Sequence, residues 1–287
     1  MPPVLVIARL TVQEASRRRL LLALVILTLI VVGFSAWGFN KIATVPRGDG
    51  TVLDPTAVKV ISSQLLIVVT FMYSGVLALS AAVVAGPLIS NEVESGMLLS
   101  MLARPVRRSE VVIGKWLGLA VLIAIYAAGS AFLELTAVDW ATGYFPPHPV
   151  ALVIYVGAEG LALLSLGLLL STRLSGITGG VIALVAWLMG WIAGVVGDIG
   201  TAIQNQAVQN VGTVSHLILP TDGLWRGAVY AMEPDVVLAT LRAGGAAGSA
   251  NPFAAINPPP LAFLAWVVVW FALMLALSIW SFRTREL

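Results

Sequence analysis

The sequence predicts an all-α integral membrane protein with six transmembrane helices and both termini in the cytoplasm. Three observations lead to that fold class. Of 287 residues, 59% are hydrophobic and 10% charged, with a mean hydropathy of +0.97; a soluble surface needs roughly a quarter charged residues. Six apolar stretches reach the ~20 residues that a helix needs to cross a bilayer. The arginines gather in alternate loops, and loops rich in Lys and Arg stay cytoplasmic. A formal charge of +2 with no basic stripe gives no support to nucleic-acid binding. With no cysteine in the chain, disulfides, thiolate metal sites and cysteine nucleophiles are excluded.

Taken in order, residues 1–19 read as an amphipathic elbow helix. Val4, Leu5, Ala8, Val12 and Ala15 share one face, and Arg9, Gln13, Ser16 and Arg17 the other, with Arg18 beside them. A basic amphipathic helix entering a span lies in the inner interface. The first span, 20–39, is too long for a signal-peptide core and lacks a small-residue cleavage site, so it is read as retained. The second and third spans, 65–89 and 111–137, are long enough to tilt or project. The fourth and fifth are 150–170 and 177–196, and the sixth is 261–280. Trp37, Trp116, Trp140 and Trp280 fall at span ends, where indole rings favour the interface.

Basic residues orient these spans. Arg9 and Arg17 to Arg19 precede the first, and Arg104, Arg107, Arg108 and Lys115 follow the second. Arg173 follows the fourth, and Arg283 and Arg285 the sixth. On the other side Lys41, Arg47, Lys59, Arg226 and Arg242 are spread over longer loops. The longest of these, 197–260, carries Ala207, Val211, Val214 and Ile218 at helical spacing, then Pro220-Thr-Asp-Gly, where Thr221 or Asp222 is placed to cap a second short helix. Leu224, Trp225, Ala228, Val229 and Met232 share one side of that helix. Two short helices on or dipping into the outer leaflet are therefore expected, followed by a flexible Gly/Ala/Pro-rich return.

The loop 91–110 is the most informative segment. Glu92 and Glu94 precede Ser95-Gly96; Met97, Leu98, Met101 and Leu102 cover an apolar arc; Gly96, Ser100 and Ala103 form a strip of small residues. Arg104-Pro105 ends the helix, and Arg108-Ser109-Glu110 and Gly114-Lys115 lead into the third span. Small residues at that spacing let another surface approach the backbone closely.

This pattern resembles the cytoplasmic loop of ABC-2 type exporter permeases, in the NosY-like branch. The elbow, the six spans and the long outer loop extend the resemblance over nearly the whole chain, and the fold it implies is similar to that of type V exporters. The resemblance implies a single permease domain that dimerises, as homo- or heterodimer, in a bacterial inner membrane. Each half docks a separate ATP-binding subunit, which holds the ATP-Mg; this chain holds no cofactor and no metal. The coupling helix comprises Glu92, Glu94, Ser95, Gly96, Met97, Leu98, Ser100, Met101, Leu102 and Arg104, and the elbow carries Arg9, Arg17 and Arg18. Consistent with that division, the only Gly-Lys pair runs into Trp116 and lacks the upstream glycine of a phosphate-binding loop.

In the family the second and fifth spans line the path near the dimer axis. Gly190 and Gly194 have small-xxx-small spacing, which serves a dimer interface or contact within one chain equally. Thr70, Tyr73 and Ser74 either face a cavity or satisfy backbone carbonyls. Of two carboxylates in apolar spans, Glu134 counts to about 28 Å from Lys115, near the outer interface, where hydration suffices. Glu159 counts to about 14 Å into its span, near the midplane, where a charge must be protonated, paired or hydrated. It is expected to bond across to another helix or to handle a cation or proton. His148 and His216 lack a second ligand at metal spacing and read as surface residues. The function read from the sequence is the permease subunit of an ATP-driven exporter. The alternative is an ion-coupled secondary transporter using Glu159, although no inverted repeat or matched pair of broken spans is visible; a non-transporting scaffold is the third reading.

Overall fold

The computed structural model describes residues 2–16, 19–46, 52–94, 107–244 and 251–285. Among them the elements are α1 (Pro3–Ser16), α2 (Arg19–Thr44), α3 (Pro55–Ala85), α4 (Pro87–Glu94) and α5 (Arg108–Thr142). Then come α6 (Pro149–Ser171), α7 (Gly176–Ala202), α8 (Gln206–Ile218), α9 (Thr221–Met232), α10 (Asp235–Ala243) and α11 (Leu261–Arg283). Among the described residues, six segments are long and apolar enough to cross a membrane: most of α2, α3 with α4, α5, α6, α7 and α11. The chain is a multi-pass, all-helical membrane protein.

Local chemistry sets the helix starts. Proline is the first residue of α1, α3, α4 and α6, where its missing N–H has no partner to lose. Asp54 caps α3 by accepting from the Thr56 N–H at 3.0 Å, and Asn205 caps α8 from the N–H groups of Ala207 and Val208. Glu110 reaches back to the Arg107 N–H at 2.8 Å and fixes the entry to α5. At the far end of α5, Gly143 ends the helix with φ of 65°, a left-handed turn that favours glycine.

Packing extends some spans beyond their apolar cores. The second begins at Pro55, ten residues before the expected 65, because Val58, Ser62 and Ser63 are buried by protein rather than lipid. Polar residues there did not need to look apolar. Similarly α5 continues to Thr142 and α7 to Ala202. Of the predicted interfacial indoles, Trp116 turns inward and donates to Ser165 Oγ on α6 at 2.9 Å, whereas Trp37, Trp140 and Trp280 are exposed. On α1 the buried face is Thr11 and Ala15 with Val4, Ile7, Ala8 and Val12 partly covered; Leu5, expected on that face, is exposed.

Among the described residues of the 197–260 loop there are three helices, not two, α10 being the addition. The expected caps also differ: Pro220 precedes α9, and Thr221 and Asp222 lie inside its first turn. From the end of α7 the chain turns back, and α8 runs down its side with Gly197 and Gly212 in backbone contact. A Cβ on Gly190 would touch Thr221 and Ser215, so the α8–α9 turn reaches about 18 Å below the end of α7 at 1.5 Å per residue. The hairpin is therefore re-entrant. Non-helical backbone at such depth needs protein partners; Leu219 and Thr221 are buried, and Trp270 Nε1 of α11 donates to the Ile218 carbonyl at 2.8 Å. Rising again, α9 is buried on nearly every side, with Trp225, Ala228, Val229 and Met232 joining Leu66, Ile67, Leu135, Val138 and Leu152 in the main core. Phe71 gathers Trp187, Trp191, Trp225 and Phe253 around it.

Candidate functional site

The end of the bundle that holds the arginines is built from α1, α4, the start of α5 and the ends of α6 and α11. Glu92 lies in the last turns of α4, and Lys115 Nζ meets its Oε1 at 2.6 Å while donating to the Leu88 carbonyl at 2.8 Å. Lys115 is almost fully buried, so this pair joins α4 to α5 across the loop between them. Glu94 ends α4. Ser95, Gly96, Met97, Leu98, Ser100, Met101, Leu102 and Arg104 lie outside the described residues, as do Arg17 and Arg18. Arg9 is exposed on α1. That helix crosses α5 at backbone distance: a Cβ on Gly114 would meet Ile7 and the Val4 carbonyl, and one on Gly118 the Ala8 carbonyl and Thr11.

Three further arginines, Arg108, Arg173 and Arg285, meet the ends of helices. Arg108 Nη1 donates to the carbonyls of Phe282, Arg283 and Arg285, with its guanidinium 5.7 Å from the Phe282 ring centroid. Arg173 donates to Ser281 and Thr284, and Arg285 to the Thr172 carbonyl. Cations thus sit on the orphan carbonyls and negative dipole ends of α6 and α11. A lone sequence shows these arginines as a topology signal; their use as caps depends on which helix ends meet.

The second group of polar residues is intramembrane. Glu159, halfway along α6, accepts from Ser74 Oγ of α3 and from Trp187 Nε1 of α7, each at 2.7 Å. One carboxyl therefore bridges three spans, and it is fully enclosed. Tyr73 shares its hydroxyl proton between Glu134 Oε2 at 3.3 Å and the Thr28 carbonyl of α2 at 3.4 Å. Glu134 is 3% exposed, which corrects the expectation of a hydrated carboxylate. Because α5 runs on to Thr142, Glu134 lies about 12 Å below its end and is covered by α2 and α3. Thr70 points its hydroxyl at Met232 Sδ of α9, 3.3 Å away. A hollow of about 30 Å³ among Thr70, Tyr73, Glu134 and Leu152 separates these groups.

Gly190 and Gly194 are covered by this chain's own hairpin, the intrachain one of the two uses the spacing allowed. A Cβ on Gly194 would fall on the Asp222 carboxylate. Asp222 Oδ2 accepts from Arg226 Nε at 2.8 Å and lies 2.7 Å from His216 Nε2; Arg226 Nη1 meets Asp198 Oδ2 of α7 at 2.5 Å. His216, read as a surface residue, thus belongs to a largely buried ion network that ties α8 and α9 to α7. The sequence signal was slight: Asp222 and Arg226 stand at i and i+4. Above, Glu233 accepts from Gln64 Nε2 at 3.1 Å, and burial, opposed by that hydrogen bond, pushes its carboxyl up to about 7.

Chemically the arrangement is one of mechanical links. Buried carboxylates hold helices together, and the basic end clamps helix termini around a loop. A family model described as an ABC-2 family transporter protein matches residues 5–287. No curated protein matches the chain.

Proposed function

The chain belongs to the ABC-2 family of transporter proteins, and from that premise we propose that it is the permease subunit of an ATP-driven exporter. It works as a dimer in a bacterial inner membrane, basic end and both termini inward, with a separate ATP-binding subunit beneath each half. ATP-Mg binds in those partners; this chain contributes the path and the lever. The docking surface is the coupling loop 91–110, from Glu92 to Arg104, with α1 as the elbow beside it.

One observation carries the reading: the buried Lys115–Glu92 pair clamps the two sides of that loop together. A push on the loop then moves α3, α4 and α5 as one body rather than spreading the loop. Through Ser74, Glu159 and Trp187 the displacement of α3 passes to α6 and α7. Close-packed interiors transmit such shifts because they have little free volume. ATP drives the change only insofar as the closed partners bind one arrangement of the bundle more tightly.

The test is co-purification with an ATP-binding subunit, sought among the reading frames that neighbour the gene. Met97→Glu with Met101→Glu is expected to abolish association and to reduce stimulated ATP turnover at least ~10-fold, a coupling loss of about 1.4 kcal/mol. Normal association and stimulation by that variant would refute the docking assignment. The ion-coupled carrier remains the second reading; it requires transport that follows an ion gradient and stops in Glu159→Gln while the chain still needs no ATP-binding partner.

A further inference from the structure

An apolar cleft of about 310 Å³ opens sideways between α2 and the rest of the bundle, in the half of the membrane nearer the basic end. Leu24 and Leu27 of α2, Leu79 and Val83 of α3, and Leu119 and Leu122 of α5 form its walls, and Ala15 of α1 its floor. Its polar lining is limited to Ser80 and Tyr126, and the Tyr126 hydroxyl is engaged by Thr28 Oγ1 at 2.9 Å in the roof. Directly beneath lies a second hollow of about 50 Å³ that shares Ala15, Val84 and Leu119 with the first. This one is polar, lined by Thr11, Glu14, Asn91, Glu92 and Lys115.

Size and order restrict the occupant. A transmembrane helix is about 10 Å across, too wide for a cleft enclosed by three helices and the elbow, so a second copy of the chain does not enter it. An alkyl chain does. Leu27, Leu79 and Val83 at the mouth are each near half exposed. The mouth lies between helices apolar and long enough to span a bilayer, so it faces lipid. Apolar cleft above, polar hollow below at the interface: this is the sequence of chemistries along a phospholipid. Lys115 donates to the Leu88 carbonyl and pairs with Glu92 in this hollow.

We propose that the cleft is a binding site for one acyl chain of a glycerophospholipid from the leaflet at the basic end, with the head group over the polar hollow beneath it. The bound chain fills the gap between α2 and α3, which touch each other little along their length, and fixes α2 against the bundle. The site belongs to a single chain in a bilayer and stands apart from the exporter reading.

Photolabelling of the full chain in phosphatidylethanolamine/phosphatidylglycerol nanodiscs tests it. The probe is a trace phospholipid with a mid-chain diazirine, read out by peptide mass spectrometry. Labelling is expected to concentrate on 24–27, 79–83 and 119–122, at least ~5-fold above the exposed face of α11 around Val268. Native mass spectrometry is expected to retain one phospholipid per chain. Ser80→Trp should remove both signals, and Val268→Trp neither. Leu27→Trp, at an already exposed position, serves in place of Ser80→Trp if that chain fails to accumulate. The proposal fails if label follows exposure alone across all spans, or if the cleft variants retain the lipid. It also fails if a diazirine fatty acid without the head group labels the cleft equally well, or if cross-links from 23–27 run to a second chain.

Discussion

Glu159 shows how much one side chain decides in a lipid-facing bundle. Its two oxygens take donors from two other spans, and hydrogen bonds between membrane helices are worth roughly 0.6–2 kcal/mol each. Glu159→Ala strands both donors, so it is expected to lower thermal stability in detergent more than Ser74→Ala or Trp187→Phe. Glu159→Gln, which keeps one acceptor, should fall between. Wild-type melting of Glu159→Ala would show that the bridge carries no load. Glu233 makes a different prediction, in pH. Its folded pKa of about 7 lies above the ordinary 4.5 because of burial, so the folded protein holds this proton longer than the unfolded chain. Stability from this group is full below about 4.5 and is lost as pH rises through about 7. Melting at pH 5.5 and 8 should reveal that decline, and Glu233→Gln should flatten it.

At the scale of elements, the re-entrant hairpin and the glycines that admit it carry the argument. Trp225 of α9 is buried in the main core among Phe71 and the neighbouring spans; Trp225→Ala is expected to cost about 3–5 kcal/mol. Gly194→Val would drive a side chain into Asp222 and break the Asp198–Arg226–His216 network, at a cost of at least ~1–3 kcal/mol from overpacking. Limited proteolysis of α8–α10 should then speed up while α5 and α6 stay protected. At the other end, a Cβ on Gly86 would strike the Gly176 carbonyl, and one on Gly176 would strike Pro87. Spans α3 and α7 thus cross at backbone contact near the α3–α4 junction, where Gly86→Leu is expected to push them apart and weaken partner association.

For the whole molecule, orientation and coupling are the properties at stake. The absence of native cysteine makes single-cysteine labelling direct. Glu94→Cys should react with an impermeant maleimide only from the cytoplasmic side, and Gln206→Cys, exposed at the start of α8, only from outside. Reversed labelling would place the docking loop on the wrong face and end the exporter reading.

Composition and apolar run lengths by themselves determined the class of this protein: membrane-embedded, all-helical, six crossings, with the loop 91–110 singled out by its residue pattern. Those properties depend on transfer from water to lipid, which is a sum over local residues and needs no knowledge of neighbours. The tertiary structure alone decided the pairings. No sequence count places Glu159 against Trp187, Lys115 against Glu92, or Asp222 in the space left by Gly194, because each contact joins residues brought together only when helices pack. The same cause hid the early start of α3 and the depth of the α8–α9 turn: polar segments enter the membrane when protein, not lipid, surrounds them, and a sequence does not show which of the two will.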